Sequence, residues 1–166
     1  MSLLDDVSIV VTPNGYKAGE LYAVVPVPSE GSELVTNGDF ATDSDWTKGT
    51  GWTISGGSAN CDGSQSSASG LIQSSVFTSG KRYKLSFNIT SNGASFKFWV
   101  NGTQNIFSTS LVDGLIEYTF TASATGSAYF EATSTFIGSI DNVSVKEYTS
   151  ADMDVTRATA ATRVDE

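Results

Sequence analysis

The sequence contains no histidine and a single cysteine, Cys61. Without histidine the chain lacks the commonest general base and the commonest metal ligand of proteins. One cysteine excludes an internal disulfide bond and a cysteine-based zinc cage. Because no histidine is present to activate the thiol, we expect Cys61 to act as a small hydrophobic residue at the end of a strand.

Basic residues are also scarce, with 9 Lys and Arg against 18 Asp and Glu and a formal net charge of −9. A nucleic-acid partner requires a basic face, and an anionic membrane attracts basic segments, so we expect neither partner. No apolar run approaches the ~20 residues of a membrane span. No P-loop, histidine-based metal motif or nucleophile elbow is present, so we expect a protein that is not an enzyme.

Composition divides the chain into three parts. Residues 1–33 end with Pro26 and Pro28, which are typical of a stiff extended spacer. Residues 34–148 hold all three tryptophans and all nine phenylalanines, and residues 149–166 hold no aromatic residue. We therefore predict an N-terminal arm over 1–33, a folded domain over 34–148 and a linker over 149–166.

Hydrophobic alternation predicts that the domain is all-β. Apolar and polar residues alternate over residues 83–90, Phe96, Phe98 and Val100 alternate with Lys97 and Trp99, and apolar and polar residues alternate again over residues 116–120. This is the period of a half-buried strand. The dipeptide Asn101-Gly102 follows the second of these runs and favours a tight turn. About eight short strands separated by Gly, Ser, Thr and Asn predict a jelly-roll β-sandwich.

Trp99 is the first candidate for a binding residue. It shares a strand face with Lys97, opposite the face of Phe96 and Phe98 that should point inward. A tryptophan on a polar face can stack on a sugar ring, and Tyr129 on another strand can share that surface. The alternative is that Trp99 is covered by a loop or a neighbouring subunit. Trp46 and Trp52 are more typical of core packing.

The N-terminal arm has a hairpin pattern. Two β-branched runs, residues 7–11 and 21–25, flank the turn-forming residues 12–15. An isolated hairpin is marginally stable, so the arm is expected to pack on another protein or on copies of itself; extension of the domain's own sheet is the alternative. The anchoring residues would be Val7, Ile9, Val11, Tyr16, Leu21 and Tyr22.

Two segments of the domain resemble the carbohydrate-binding-module-like, or galactose-binding-like, jelly rolls. These are LVTNGDF at residues 34–40, followed by Trp46, and IDNVSV at residues 140–145. The resemblance implies the jelly-roll fold, and it implies that a structural calcium joins the first and last strands. Asp39 and Asp141 occupy the matching positions for that calcium. From the residues alone, Asp39 could instead cap a turn, and Asp141 could accept backbone amide bonds.

The flanks are similar to tailed-bacteriophage virion appendage proteins. Residues 3–17 resemble the start of such proteins, and residues 154–164 are similar to a segment of phage fibre proteins that leads into distal domains. The resemblance implies location in the virion, attachment to a capsid or tail protein, and a homo-oligomer, frequently a trimer. We expect the chain to form the base of a longer head or tail fibre or a capsid decoration.

The residues and the resemblances together favour two functions. The first is a non-enzymatic virion structural protein, anchored by strand addition of its arm to another virion protein. The second is a glycan-binding module that adheres to a bacterial surface or to mucus. The two functions are compatible.

Overall fold

The computed structural model describes the backbone of Gly15–Lys17 and Glu20–Tyr22 and the whole of residues 28–149. In the first part, strands β1 (Gly15–Lys17) and β2 (Glu20–Tyr22) pair antiparallel, with Lys17 opposite Glu20. The predicted turn over residues 12–15 is therefore wrong at Gly15, which lies in a strand. The pairing of Gly15 with Tyr22 makes Gly15 part of the strand ladder.

The arm residues divide between described and undescribed parts of the chain. Tyr16 lies in β1, and Leu21 and Tyr22 lie in β2. Val7, Ile9 and Val11 lie outside the described residues, as does the linker segment 154–164. The anchoring role of the six arm residues stays a prediction.

The second part is a compact unit, Glu30–Thr149, built from eleven further strands. They are β3 (Ser29–Glu33), β4 (Thr47–Lys48), β5 (Trp52–Ser55), β6 (Ser58–Cys61), β7 (Ser69–Phe77), β8 (Arg82–Ser91), β9 (Ser95–Val100), β10 (Gln104–Ser110), β11 (Gly114–Thr121), β12 (Gly126–Ala132) and β13 (Gly138–Thr149). No helix in the described part of the chain is long and apolar enough to cross a membrane.

These strands form two antiparallel sheets. The five-stranded sheet has the order β10-β9-β12-β7-β4, and the other sheet has the order β11-β8-β13-β6-β5, with β3 paired to β13. Apart from the consecutive pairs β9–β10 and β5–β6, neighbouring strands come from distant parts of the chain, as in jelly rolls. The predicted all-β jelly-roll β-sandwich is confirmed.

Aromatic rings fill the space between the sheets. Phe98 packs on Phe130 and Phe96 on Phe136, each with ring centroids 4.7 Å apart. Phe87 of the opposite sheet meets Phe130 edge-on at 5.2 Å, an arrangement that aromatic quadrupoles favour. The alternation over 83–90 and 96–100 therefore places Tyr83, Phe87, Phe96 and Phe98 inside, and it leaves Lys97 and Trp99 on the outer face.

Other sequence predictions about the core are also confirmed. Trp46 and Trp52 are buried, and their indole nitrogens donate to the carbonyls of Asn37 and Ser69. Cys61 is buried at the end of β6, where burial raises the pKa of its thiol. The Asn101-Gly102 turn between β9 and β10 has φ values of 50° and 65°, which is the left-handed region where Asn and Gly are favoured.

Strand β3 occupies residues that the sequence assigns to the spacer. Its five residues are all exposed and polar, and they pair with β13. The Glu33 carboxylate fixes the end of β3, because Oε1 accepts hydrogen bonds from the backbone N–H groups of Leu34, Val35 and Val145. Its Oε2 accepts from the Ser144 hydroxyl at 2.5 Å. The domain's sheet therefore begins before residue 34.

Candidate functional site

The outer face of the five-stranded sheet carries a line of five residues, one from each strand. The register sets Trp99 opposite Tyr129, Tyr129 opposite Ile72, and Ile72 opposite Thr47, while Asn105 lies opposite Trp99 on the other side. Neighbouring strands are ~4.8 Å apart, so the line is about 19 Å long. We call these five residues the Trp99 row.

The row follows from the alternation of its strands. Trp99 lies between the buried Phe98 and Val100, and Tyr129 lies between the buried Ala128 and Phe130. Successive side chains of a strand point to opposite faces, so both rings are directed outward. Both are half-buried.

A second line of residues lies on the same face, two positions along each strand from the Trp99 row, and it contains an ion pair. Lys97 lies opposite Glu131, and Lys97 Nζ is 2.6 Å from Glu131 Oε1. The side chain of Glu131 is 11% exposed and that of Lys97 is 27% exposed. Lys97 Nζ also lies 5.9 Å from the centroid of the Trp99 ring, within the range of a cation–π interaction. The pair therefore links the two lines and fixes polar groups beside the aromatic rings.

The Tyr129 ring lies over Gly70 of the neighbouring strand. A Cβ atom at position 70 would clash with Tyr129 Cε2 and would lie 3.0 Å from Cδ2 and Cζ. Burial raises the pKa of Tyr129, and the nearby Glu131 carboxylate raises it further. The phenol is therefore held in its neutral form well above neutral pH.

Trp99 presents its ring rather than its N–H group. Its Nε1 atom is the buried side-chain polar atom that finds no hydrogen-bond partner among the described residues. Because the residue as a whole is half-buried, the accessible part of the indole is carbon surface. Such a surface stacks on flat apolar ligand groups.

A depression of about 370 Å³ adjoins the row at the edge strand β4. Ile72 and Thr47 belong both to the row and to the lining. The buried Gln73 holds the two flanking segments, since it bonds the backbone N–H and carbonyl of Thr36 at 2.9 and 2.8 Å and donates to the carbonyl of Asp45 at 3.4 Å. Further lining residues are Ser74 and Ser75.

The opposite sheet has a second, smaller depression of about 300 Å³. Its lining includes Gly57, Asn88, Thr90, Ser139 and Asp141. The hydroxyls of Thr90 and Ser139 hydrogen-bond to each other at 2.7 Å. This lining contains no aromatic ring, so the depression offers no stacking surface.

The predicted calcium ligands make local hydrogen bonds instead. Asp39 Oδ1 accepts from the Ala41 N–H at 3.3 Å, and both oxygens of Asp141 accept from Asn142. Among residues 28–149 no group of three or more His, Cys, Asp or Glu side chains is arranged to hold a metal ion. The calcium site therefore stays a prediction of the resemblance.

Each lysine of residues 28–149 forms an ion pair with a carboxylate. The ion pairs are Lys48–Asp43, Lys81–Glu147, Lys84–Glu30, Lys84–Glu117, Lys97–Glu131 and Lys146–Glu30. Hydrogen bonds from Lys84 and then Lys146 hold the pKa of Glu30 below its usual value. Arg82 lies over the Tyr148 ring at 5.6 Å. The pairs of Lys84 and Lys146 therefore form an ion-pair network across β3, β8, β11 and β13 of the six-stranded sheet.

The structure brings Trp99, Lys97 and Tyr129 together as the sequence predicts, while their contact with a glycan stays a prediction. Sequence reasoning missed Ile72, Thr47 and the depression beside them. Alternation shows which face a residue occupies, but it does not show which residue lies opposite.

Comparison with known proteins gives structural likeness only. No protein-family model matches the chain, and no curated protein matches it. The structure is similar to the ligand-free carbohydrate-binding module CBM1 of BiXyn10A (16% identity, 76% of this chain and 98% of that chain, TM-score 0.49). It is also similar to a mutant of CBM29-2, a family 29 carbohydrate-binding module (18% identity, 80% and 100%, TM-score 0.47).

A third similar structure is the enzymatically active domain of tailspike protein 4 of bacteriophage CBA120. It is 17% identical, the match covers 68% of this chain, and the TM-score is 0.46. This chain spans about a fifth of that tailspike chain, 21% of its length. Likeness at such identities and scores concerns the fold and not the function.

Proposed function

We propose that the compact unit Glu30–Thr149 is a non-enzymatic glycan-binding module whose binding face is the Trp99 row. The observation that carries the proposal is the register, which aligns Trp99, Tyr129 and Ile72 across three adjacent strands of an open sheet face. An extended ligand with repeated apolar faces, such as a saccharide chain, fits such a line.

Binding would combine stacking with hydrogen bonds. The rings of Trp99 and Tyr129 would pack against the C–H faces of sugar rings, which gives burial of apolar area without a deep cavity. Asn105 at one end of the row, and Lys97 and Glu131 beside it, would bond sugar hydroxyls. A few fixed polar groups around an apolar surface are the usual composition of a ligand site.

The charge pattern favours a neutral saccharide. Lys97, the cation beside the rings, is already paired with Glu131. The chain as a whole carries a formal net charge of −9. An acidic glycan would therefore be repelled by the chain and would have to compete with Glu131 for Lys97.

The site is proposed to bind and not to cleave. Glycoside hydrolysis needs two carboxyl groups on either side of the scissile bond. Glu131, the carboxylate next to the aromatic rings, is engaged by Lys97 at 2.6 Å. A carboxylate held by a lysine in this way would act as a fixed hydrogen-bond acceptor for a sugar hydroxyl.

The experiment is a fluorescence and calorimetric titration against hexasaccharides of neutral sugars: xylose, glucose, mannose and galactose. Trp99→Ala should abolish binding of the saccharide that the natural chain binds. Tyr148→Ala, which removes a half-buried aromatic side chain from the six-stranded sheet, is the matched control and should leave binding unchanged. Absence of binding to the whole panel, or equal loss in both variants, would contradict the proposal.

We also propose that the module belongs to a virion and is attached there through the part of the arm before β3, residues 1–28. The support is the resemblance of residues 3–17 and 154–164 to phage appendage proteins, together with the paired strands β1 and β2 within that arm. An arm of this kind would attach by adding strands to a sheet of another virion protein. The display of a glycan-binding face on a virion would serve adhesion to a bacterial surface.

A further inference from the structure

The depression beside Ile72 is continuous with the Trp99 row but differs from it in chemistry. Ile72 and Thr47 line both, so a saccharide lying along the row reaches the depression at strand β4. The row offers aromatic surface, whereas the depression offers exposed hydroxyls and the Asp45 carboxylate. Two contiguous surfaces of different chemistry suit two different parts of one ligand.

The depression exists because β4 is short. β4 pairs with β7 only through Thr47 and Lys48, so β7 continues from Gln73 to Phe77 beyond its partner. The Gln73 side chain ties Thr36 and Asp45 to this part of β7. Gln73 is 7% exposed, and a buried amide with three partners fixes both segments in place before a ligand arrives.

The segment around Thr36 closes this edge of the sandwich. Leu34 donates its N–H to the carbonyl of Val145 in the six-stranded sheet at 2.9 Å, while Thr36 is bonded to Gln73 of the five-stranded sheet. The segment therefore bridges the two sheets next to the depression. A saccharide that enters from the row meets this bridge.

The volume fits one sugar unit. About 370 Å³ lies at the lower end of the ~300–1,000 Å³ that is usual for small-molecule sites. The hydroxyls of Thr36, Thr47, Ser74 and Ser75 both donate and accept hydrogen bonds, and the Asp45 carboxylate accepts them. These groups complement a neutral, hydroxyl-rich ring.

We infer that this depression binds the terminal sugar unit of the glycan, so that the module recognises chain ends. The inference rests on the proposed glycan-binding function. An end unit brings an additional hydroxyl in place of a glycosidic link, and that hydroxyl would donate to Asp45. A unit whose terminal hydroxyl is blocked, or which carries a carboxylate, would be rejected.

The test uses the full chain and the hexasaccharide that it binds, together with the same saccharide methylated at its end hydroxyl. Asp45→Asn keeps a residue that tolerates the φ of 67° at this position, and Thr47→Val keeps the side-chain shape. Each should weaken binding of the free hexasaccharide about three- to tenfold, the size of one lost hydrogen bond. Both should reduce the preference for the free over the methylated form.

The controls separate the two claims. Thr119→Val makes the same change on an exposed position of β11 in the other sheet and should bind as the natural chain does. If Trp99→Ala loses binding while Asp45→Asn and Thr47→Val bind both saccharides as the natural chain does, end recognition is overturned and the proposed function stands. If the natural chain binds no saccharide, both are overturned.

Discussion

The ring of Tyr129 occupies the space that a side chain would fill at Gly70. Any Cβ atom at position 70 would clash with Tyr129 Cε2. Gly70 is not in a left-handed conformation, so its backbone would accept alanine, and the ring is what requires glycine there. The pair fixes the orientation of the central ring of the Trp99 row.

Gly70→Ala should therefore displace the Tyr129 ring. We expect a loss of about 1–3 kcal/mol in the free energy of unfolding, the usual cost of overpacking. Saccharide affinity should fall about tenfold, which corresponds to ~1.4 kcal/mol. Urea unfolding and calorimetry measure the two effects.

The control for this substitution is a double-variant cycle. In a Tyr129→Ala background the added methyl group meets no ring. There, Gly70→Ala should lower the free energy of unfolding by less than about 0.5 kcal/mol. An equal loss of stability in both backgrounds would show that the Tyr129 ring is not the reason why position 70 requires glycine.

The Lys97–Glu131 pair should contribute to stability more than an exposed pair does. Lys97→Met leaves the Glu131 carboxylate, with an 11% exposed side chain, without its cation, so we expect a loss of about 1–3 kcal/mol. Lys48→Met is the control, because its partner Asp43 is 55% exposed, and such pairs contribute about 0–1 kcal/mol. Equal losses in urea unfolding would contradict this assignment.

Stability should fall at alkaline pH through Tyr129. Its pKa in the folded chain is raised above the ordinary value of 10.0, first by burial and then by Glu131. The unfolded chain therefore loses the phenol proton at lower pH than the folded chain does, and stability decreases as pH rises from about 10 through the folded pKa. Tyr129→Phe should show a smaller decrease between pH 9 and 11.5, measured by urea unfolding; an identical decrease would remove Tyr129 as the cause.

The arm should be dispensable for folding but not for assembly. Because β3 begins at Ser29 and pairs with β13, deletion of residues 1–27 leaves the compact unit intact. We expect its thermal unfolding to be unchanged, while light scattering shows a trimer for the full chain and a monomer for the shortened one. The same number of subunits for both chains would contradict an assembly role for the arm.

Much of this fold could be predicted from local patterns. Alternation over residues 83–90 and 96–100 predicts inward aromatic residues, and Asn101-Gly102 predicts the turn. Strand β3 could not be predicted, because its SEGSE sequence has no apolar alternation. It is held by backbone pairing and by the Glu33 carboxylate, whose bonds to Ser144 and Val145 join residues more than a hundred positions apart.

The candidate site was only partly predictable for a related reason. The outward positions of Trp99 and Tyr129 follow from their own strands. Their alignment with Ile72 depends on strand order and register, which are set by long-range packing. The depression depends on how soon β4 ends, and no residue pattern in the sequence specifies that.

The most direct test of the glycan-binding face uses the three tryptophans, Trp46, Trp52 and Trp99, as reporters in one NMR titration. Each gives one indole N–H signal, and the first two are buried in the core while Trp99 lies on the row. On addition of the saccharide that binds, the Trp99 signal should shift strongly and the other two should shift little. A bound saccharide that leaves the Trp99 signal in place, and moves residues of the six-stranded sheet instead, would contradict the account.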